Sequence, residues 1–333
     1  MPRPVDRAVA ILGAGIAGAS AARSLADLGY RVVVHDKGRV PGGRAATRSR
    51  GSVQFDHGAQ YFTGREAAFL EQIGRWAIAG SIAEWRPRLV SIDADGRREP
   101  SSPERRWVGV PGMNRLAASL LDDIEVFCGS RVIGVERRQR LWYLQLADAT
   151  VDGPYQALLC TVPAPQVLPL LGDLPLARQA HAVNFAPSWA LMLEFAEPLE
   201  TGFDAAFVNV GPLSWIARDS SKPGRPGGER WVVHAGPYFS RAHLEATPET
   251  MSHDLQEAFF AVAGVAHRSP LRHRVHRWRH ALAQPPLHVG ALADPRIRLA
   301  IGGDWCQGSR VEGAWLSGQA LARHADGWLR APR

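Results

Sequence analysis

The sequence predicts an α/β protein: a parallel-sheet βα domain assembled from both chain ends, with an inserted α+β domain built on an antiparallel sheet. Three observations predict it. Residues 8–12, Ala-Val-Ala-Ile-Leu, form a short unbroken apolar run leading into a glycine-rich turn and a small-residue helix. Residues 297–301 repeat that pattern near the other end, followed by a loop at 302–310 and a helix over 312–329. Between them, short β-branched and aromatic runs alternate with turns, as in antiparallel sheets.

Along the chain, strand 8–12 is followed by a turn at 13–18, a helix over 16–28 stopped by Gly29, and a strand at 31–35, the start of a βαβ unit. A turn leads into a helix over 109–121. Residues 125–127, 131–136 and 141–146 are expected to form a β-meander, and 157–161 a further apolar strand ended by Val162-Pro163. Strands at 188–195, 205–210, 214–218 and 231–235 suit the antiparallel sheet. The Pro/Gly-rich segment 219–230 is a loop. Thr247 caps a helix with Pro248 at its first position, running to 263. Strand 271–282 closes the insert. The first domain is expected over 1–62, 108–165 and 295–333, the second over 63–107 and 166–294.

The 333 residues, 46% of them hydrophobic, suffice for about two globular domains. No run of about 18 uncharged apolar residues occurs, so no membrane span is expected. Arg3 and Arg7 before the small apolar stretch 8–22 mimic a secretory leader, but cleavage there would remove the glycine turn. A cytoplasmic protein is expected. Cys128, Cys160 and Cys306 make no disulfide or metal framework; Cys128 and Cys160 are expected to be small core residues. The formal charge of +7 rests on arginine, since Lys37 and Lys222 are the only lysines. That is a compositional bias or an attraction for an anionic substrate; no basic stripe points to nucleic acid.

Gly13-Ala-Gly15-Ile16-Ala17-Gly18 follows a strand and opens a helix. Gly13 permits the tight turn, Gly15 lets backbone approach a pyrophosphate, and Gly18 lets helix and strand pack closely. The helix N-terminus offers N–H groups and a positive dipole end to phosphate. Asp36 ends the second strand, where a carboxylate takes ribose hydroxyls and disfavours an extra ribose phosphate. This is a Rossmann-type dinucleotide site. Downstream, Gly42-Gly43-Arg44 supplies a second phosphate clamp, which favours FAD over NAD. At the other end, Asp304 at a strand end suits a ribityl hydroxyl. The helix from Glu312 would aim its positive end at the flavin N1–C2=O edge, over the small Gly313 and Ala314.

These motifs, with Asp56-His57-Gly58-Ala59-Gln60-Tyr61, Pro111-Gly-Met113, Ser220-Ser-Lys-Pro-Gly-Arg225 and Gly303-Asp-Trp305, resemble the flavin amine-oxidase superfamily, and more closely the bacterial renalase-like flavoproteins. The resemblance implies a Rossmann-type FAD-binding domain, an inserted substrate domain, and non-covalent FAD. It further implies that Val132 meets adenine, that Gly43 and Arg44 reach the pyrophosphate, and that Gly58, Ala59 and Gln60 lie near the isoalloxazine. Lys37, His57 and Thr161 complete the expected cofactor set. No metal is expected.

Flavin amine oxidases hold a lysine at flavin N5 through water, but here Lys37 sits by the ribose position and Lys222 in the Pro/Gly loop. The renalase resemblance instead implies oxidation of the 2- and 6-dihydro isomers of NAD(P)H, with hydride passing to flavin N5 and dioxygen becoming hydrogen peroxide. Such a substrate needs no general base. The alternatives are an amine or polyamine oxidase, a desaturase-type flavoprotein for a lipid or tetrapyrrole, and a flavin-binding module without turnover. Candidate pocket residues are His234, Tyr238, His243, Arg277, Trp278 and Lys222, with Lys222 and Arg225 reaching substrate phosphates from a mobile loop or simply lying on the surface. In strand 272–280, Arg272, Arg274, His276, Trp278 and His280 share one face and His273, Val275, Arg277 and Arg279 the other. Either one face serves the site or the strand is a charged edge.

Overall fold

A computed structural model describes residues 8–51, 53–101 and 104–330; Arg3 and Arg7 lie outside them. Strand β1 (Ala8–Leu12) is buried at every residue, as befits the centre of a parallel sheet covered on both faces. It runs into helix α1 (Ile16–Asp27) and then strand β2 (Arg31–Asp36). Together they start a six-stranded sheet in the order Leu292–Asp294, Leu299–Ile301, Ala157–Cys160, β1, β2, Glu125–Cys128. All neighbours are parallel except the first two, which pair antiparallel.

The two chain ends pack side by side. A Cβ on Gly318 of the terminal helix (Val311–Arg330) would stand 2.4 Å from the Ala17 carbonyl oxygen of α1. The Ser20 hydroxyl of α1 donates to the Trp315 carbonyl at 2.9 Å, and Gln319 donates to Ser20 and Ser24. Small residues thus bring both helices onto one face of the sheet.

The second sheet has seven strands, ordered Arg272–Ala283, Phe185–Phe195, Glu229–Ala235, Leu213–Arg218, Ala205–Val208, Leu89–Ile92, Arg98–Pro100. It is antiparallel but for the pairing of Ala205–Val208 with Leu89–Ile92. One face, with Leu191, Ile216, Trp231 and Val233, packs on the helix Pro248–Ala263, whose Thr247 side chain accepts from the Thr250 N–H as its cap. The other face is turned toward the first domain.

Three sequence expectations need correction. Glu125–Cys128 is not part of the meander but the edge of the parallel sheet; the meander is Val132–Arg138, Leu141–Leu146 and Val151–Tyr155. Local sequence cannot distinguish a neighbour in the chain from one reached by a crossover. Cys128, on that edge strand, is exposed rather than a core residue, whereas Cys160 and Cys306 are buried. Strand Leu292–Asp294 pairs within the six-stranded sheet, just before the expected boundary at 295. Among the described residues no helix is long and apolar enough to cross a membrane.

Candidate active site

The glycine turn packs as its spacing requires. Gly13 has φ of 106°, and a Cβ there would meet the Thr161 hydroxyl at 2.7 Å. A Cβ on Gly18 would stand 1.9 Å from the Gly13 carbonyl oxygen. Thr161 therefore acts as a packing partner, its hydroxyl directed at the Leu12 and Gly13 carbonyls. Facing the turn, Gly42 forms a parallel bridge to Gly15, and a Cβ on Gly43 would come within 3.1 Å of the Gly15 Cα. Two stretches of bare backbone thus meet at the N-terminus of α1, where no side chain caps the free N–H groups. This cradle fits the phosphates of FAD. Asp36 accepts from the Ala14 N–H at 2.6 Å and the Gly38 N–H at 2.5 Å, and each oxygen retains a lone pair for a ribose hydroxyl. Val132 follows Ser130, which meets His35 of β2 beside Asp36. The Lys37 ammonium donates to Gln166 at 3.0 Å.

At the opposite half-site, Arg44 and Asp304 do not reach out separately. They pair with each other, 2.9 and 2.5 Å apart, while Arg44 also donates to the Ala281 carbonyl at 3.0 Å. The Glu312 carboxylate accepts from the N–H groups of Arg65 and Glu66, at 2.7 and 2.8 Å, at the start of the helix Ala67–Ile78. The terminal helix starts at Val311; a Cβ on Gly313 would lie 2.0 Å from the Gly308 carbonyl oxygen, and Ala314 stays partly exposed. Burial pushes the Cys306 thiol well above its ordinary range, with Asp304 adding to the shift.

The segment 55–61 joins the two domains. A Cβ on Gly58 would stand 1.9 Å from the Arg44 carbonyl oxygen, to which the Ala59 N–H donates at 2.9 Å. Beside it lies a buried ionic cluster. Lys222 Nζ donates to Asp219 at 2.7 Å, to Asp56 at 3.3 Å and to the Gln60 amide oxygen at 3.2 Å. Arg225 donates to Asp56 at 2.5 Å and to the Gly109 carbonyl at 2.9 Å. Lys222 is 2% exposed. Lys222 and Arg225 are therefore neither surface side chains nor free phosphate binders, although Gly224 and Pro226 to Gly228 of the same loop are exposed. A charged lysine buried at this depth is stable only where carboxylates meet it, and they come from elsewhere in the chain. Burial would raise Asp56, but Lys222, Arg225 and hydrogen bonds from the Met113 N–H and Thr47 hydroxyl hold it below its usual value. Burial lifts Asp219, Lys222 pulls against it, and Asp56 adds to the rise. Gln60 is turned into this cluster; its amide N–H groups donate to the Asp56 and Gly58 carbonyls.

Over this segment, one cross-strand row of the seven-stranded sheet reads Phe207, Trp215, His234, Ala190, His276. Tyr61 lies against Trp215 with centroids 5.4 Å apart. His57 contacts His276 edge-on at 4.9 Å and stacks on Trp278 at 5.2 Å. Its carbonyl accepts from Trp278 Nε1 at 2.9 Å and His234 Nε2 at 3.2 Å. Burial drives His57 down to about 3, with His276 and Arg48 adding to the shift, and drives His234 and His276 down to about 4. All three are neutral imidazoles at neutral pH. His57 Nδ1 is buried without a hydrogen-bond partner.

The other pocket candidates fall elsewhere. Tyr238 is 85% exposed. His243 stacks on Phe239 and its carbonyl accepts from Trp189, on the far face of the sheet. Arg277 also lies on that face, tied to Glu245 and the Leu244 carbonyl, because strand alternation puts it opposite Trp278. The sequence leaves Asp56, Asp219 and Trp215 out of the site and includes His276 only through the strand face it shares with Trp278. Asp56 stands in a quoted motif, but nothing local marks Asp219 or Trp215. Two surface clefts of about 280 and 470 Å³ lie among residues 84–106 and 64–107; Trp85 and Arg106, which line the first, also approach Tyr61.

Residues 11–73 match a family model described as an NAD(P)-binding Rossmann-like domain, and residues 91–325 one described as flavin containing amine oxidoreductase. The chain is 30% identical over 263 residues to a phytoene dehydrogenase of Streptomyces griseus; the match covers 77% of this chain and 47% of that protein, so the chain spans about half the relative's length. Among solved structures, a protein designated protoporphyrinogen oxidase from Exiguobacterium sp. 255-15 superposes with a TM-score of 0.77 at 11% identity, covering 98% of this chain and 99% of that one. A double mutant of putrescine oxidase superposes at 0.73 with 14% identity, covering 96% and 99%. At those identities the likeness is one of fold.

Proposed function

The chain belongs to the flavin-containing amine oxidoreductase family, and from that premise we propose an FAD-dependent oxidase that converts 2- and 6-dihydro isomers of NAD(P)H to NAD(P)+, with dioxygen reduced to hydrogen peroxide. The observation that carries the reading is the charge of the sheet face over residues 55–61. With His57 of that segment it offers an indole and three neutral imidazoles, and the lysine beside it is bound to carboxylates. A cationic amine would find no free carboxylate there, since Asp56 and Asp219 already face Lys222 and Arg225. An aromatic ring carried by a polyanion suits it better.

When bound, FAD supplies a hydride acceptor at N5 and returns the electron pair to dioxygen. The chain's own tasks are then few. A dihydropyridine becomes aromatic as hydride leaves, so no side chain has to remove a proton. That suits a site whose lysines are both engaged, Lys37 with Gln166 and Lys222 with Asp219. His57 stacks on Trp278 and His276 meets both edge-on, and this aromatic cluster packs against the substrate ring and excludes water. The cradle of Gly13, Gly15 and Gly43 holds phosphate, and Asp36 the adenosine ribose. The Cys306 thiol, raised by burial, stays protonated, and FAD is held without a covalent link.

The test is anaerobic mixing of the purified flavoprotein with 2- and 6-dihydro-NAD(P), ordinary NADH and a panel of amines, following flavin absorbance. Rapid bleaching by the dihydro isomers alone is expected. Bleaching by amines alone overturns the proposal.

A further inference from the structure

We propose that Arg39, Arg48 and Arg274 form a seat for the phosphate groups of the substrate, beside the aromatic cluster of His57, His276 and Trp278. That the ligand is a substrate rests on the function proposed above; the seat itself rests on geometry.

The hairpin Thr47–Arg50 with Val53–Asp56 sets Arg48 directly opposite Phe55, so both side chains leave the same face. Phe55 packs on Met192 and Val232 of the seven-stranded sheet. Met192 in turn stands opposite Arg274 on the edge strand. Two layers therefore bring Arg48 and Arg274 to one place. By strand alternation Arg274 shares its face with His276 and Trp278. Arg39 joins from the loop after β2. Burial lowers the Arg48 guanidinium, and the charges of Arg274 and Arg39 lower it further; Arg48 and Arg274 together depress His276.

Other arginines are paired: Arg44 with Asp304, Arg225 with Asp56, and on the far face Arg277 and Arg279 share Glu245. Within the described residues, the side chains of Arg39, Arg48 and Arg274 have no ion pair or hydrogen bond. Three like charges gathered without a counter-ion are a cost to the fold and a source of affinity for a polyanion. Arg48 is half-buried, while Arg39 and Arg274 face solvent. A ring stacked at Trp278 would leave its phosphates toward them.

The experiment uses the FAD-loaded protein and inorganic pyrophosphate as probe, with binding measured by calorimetry for the wild type, the double variant R48Q/R274Q and a distant charge control, R323Q. The double variant is expected to weaken pyrophosphate at least tenfold, keep its flavin, and raise KM for 6-dihydro-NADP more than it lowers kcat; R323Q is expected to match the wild type. Unchanged pyrophosphate affinity overturns the seat, and so does an equal loss in R323Q. Loss of bound flavin also overturns it, by assigning the arginines to the cofactor. If pyrophosphate weakens as expected but no dihydropyridine bleaches the flavin, the seat stands and the proposed substrate falls. If dihydropyridines are oxidised by the double variant with wild-type KM, the substrate stands and the seat falls.

Discussion

Arg44 and Asp304, 260 positions apart in the chain, meet in a two-pronged ion pair of 2.9 and 2.5 Å that ties the loop after β2 to the loop before the terminal helix. Asp304→Asn should leave the partly buried Arg44 charge without its partner and cost about 2–3 kcal/mol, below the range for a fully buried pair because Arg44 keeps some contact with water. A urea midpoint unchanged from wild type would refute this. Flavin retention on gel filtration should fall in parallel.

The Lys222 cluster is expected to be more costly to break. Lys222→Met leaves the buried Asp219 carboxylate without its cation, while Asp56 keeps Arg225, with a loss of about 3–5 kcal/mol. Adding Asp219→Asn removes the stranded charge and should recover part of the loss. Denaturation of the single and double variants measures the coupling; additive losses would show that the two side chains act independently.

Acid should destabilise the protein in a defined window. His57, His234 and His276 are depressed from 6.5 to about 3, 4 and 4. Above pH 6.5 neither folded nor unfolded chain protonates them, and their full contribution is present. As pH falls from there toward 4, the unfolded chain takes up protons that the folded chain refuses. Stability then drops by at most about 1.4 kcal/mol per pH unit per histidine, less for the part-exposed His276. Urea midpoints at pH 7, 6 and 5 check this, and a flat profile would contradict it.

Two glycine-to-alanine changes should move in opposite directions. Gly18→Ala puts a methyl 1.9 Å from the Gly13 carbonyl oxygen and should force helix α1 off the sheet, with flavin lost and stability down by about 2 kcal/mol or more. Gly74, in the helix Ala67–Ile78, has open space around it, and Gly74→Ala should stabilise by about 0.5–1 kcal/mol. Thermal melts and the flavin-to-protein absorbance ratio read both outcomes.

Much was legible in the sequence because it is written locally. The apolar run 8–12, the spacing of Gly13, Gly15 and Gly18, the cap at Thr247-Pro248 and the alternation through Arg272–Ala283 all express short-range rules of backbone and side-chain direction. They determined the two fold types, the phosphate-facing turn and the face shared by His276 and Trp278. The tertiary structure decided which charges meet. Whether Lys222 is a surface cation or a buried one depends on Asp56, 166 positions away. Whether Arg44 faces a phosphate or Asp304, and whether Glu312 meets the start of the helix Ala67–Ile78, depends on which loops the two sheets bring together. Local propensity sets a side chain's direction, but its electrostatic partner is set by packing, and the chemistry of this site lies in those partners.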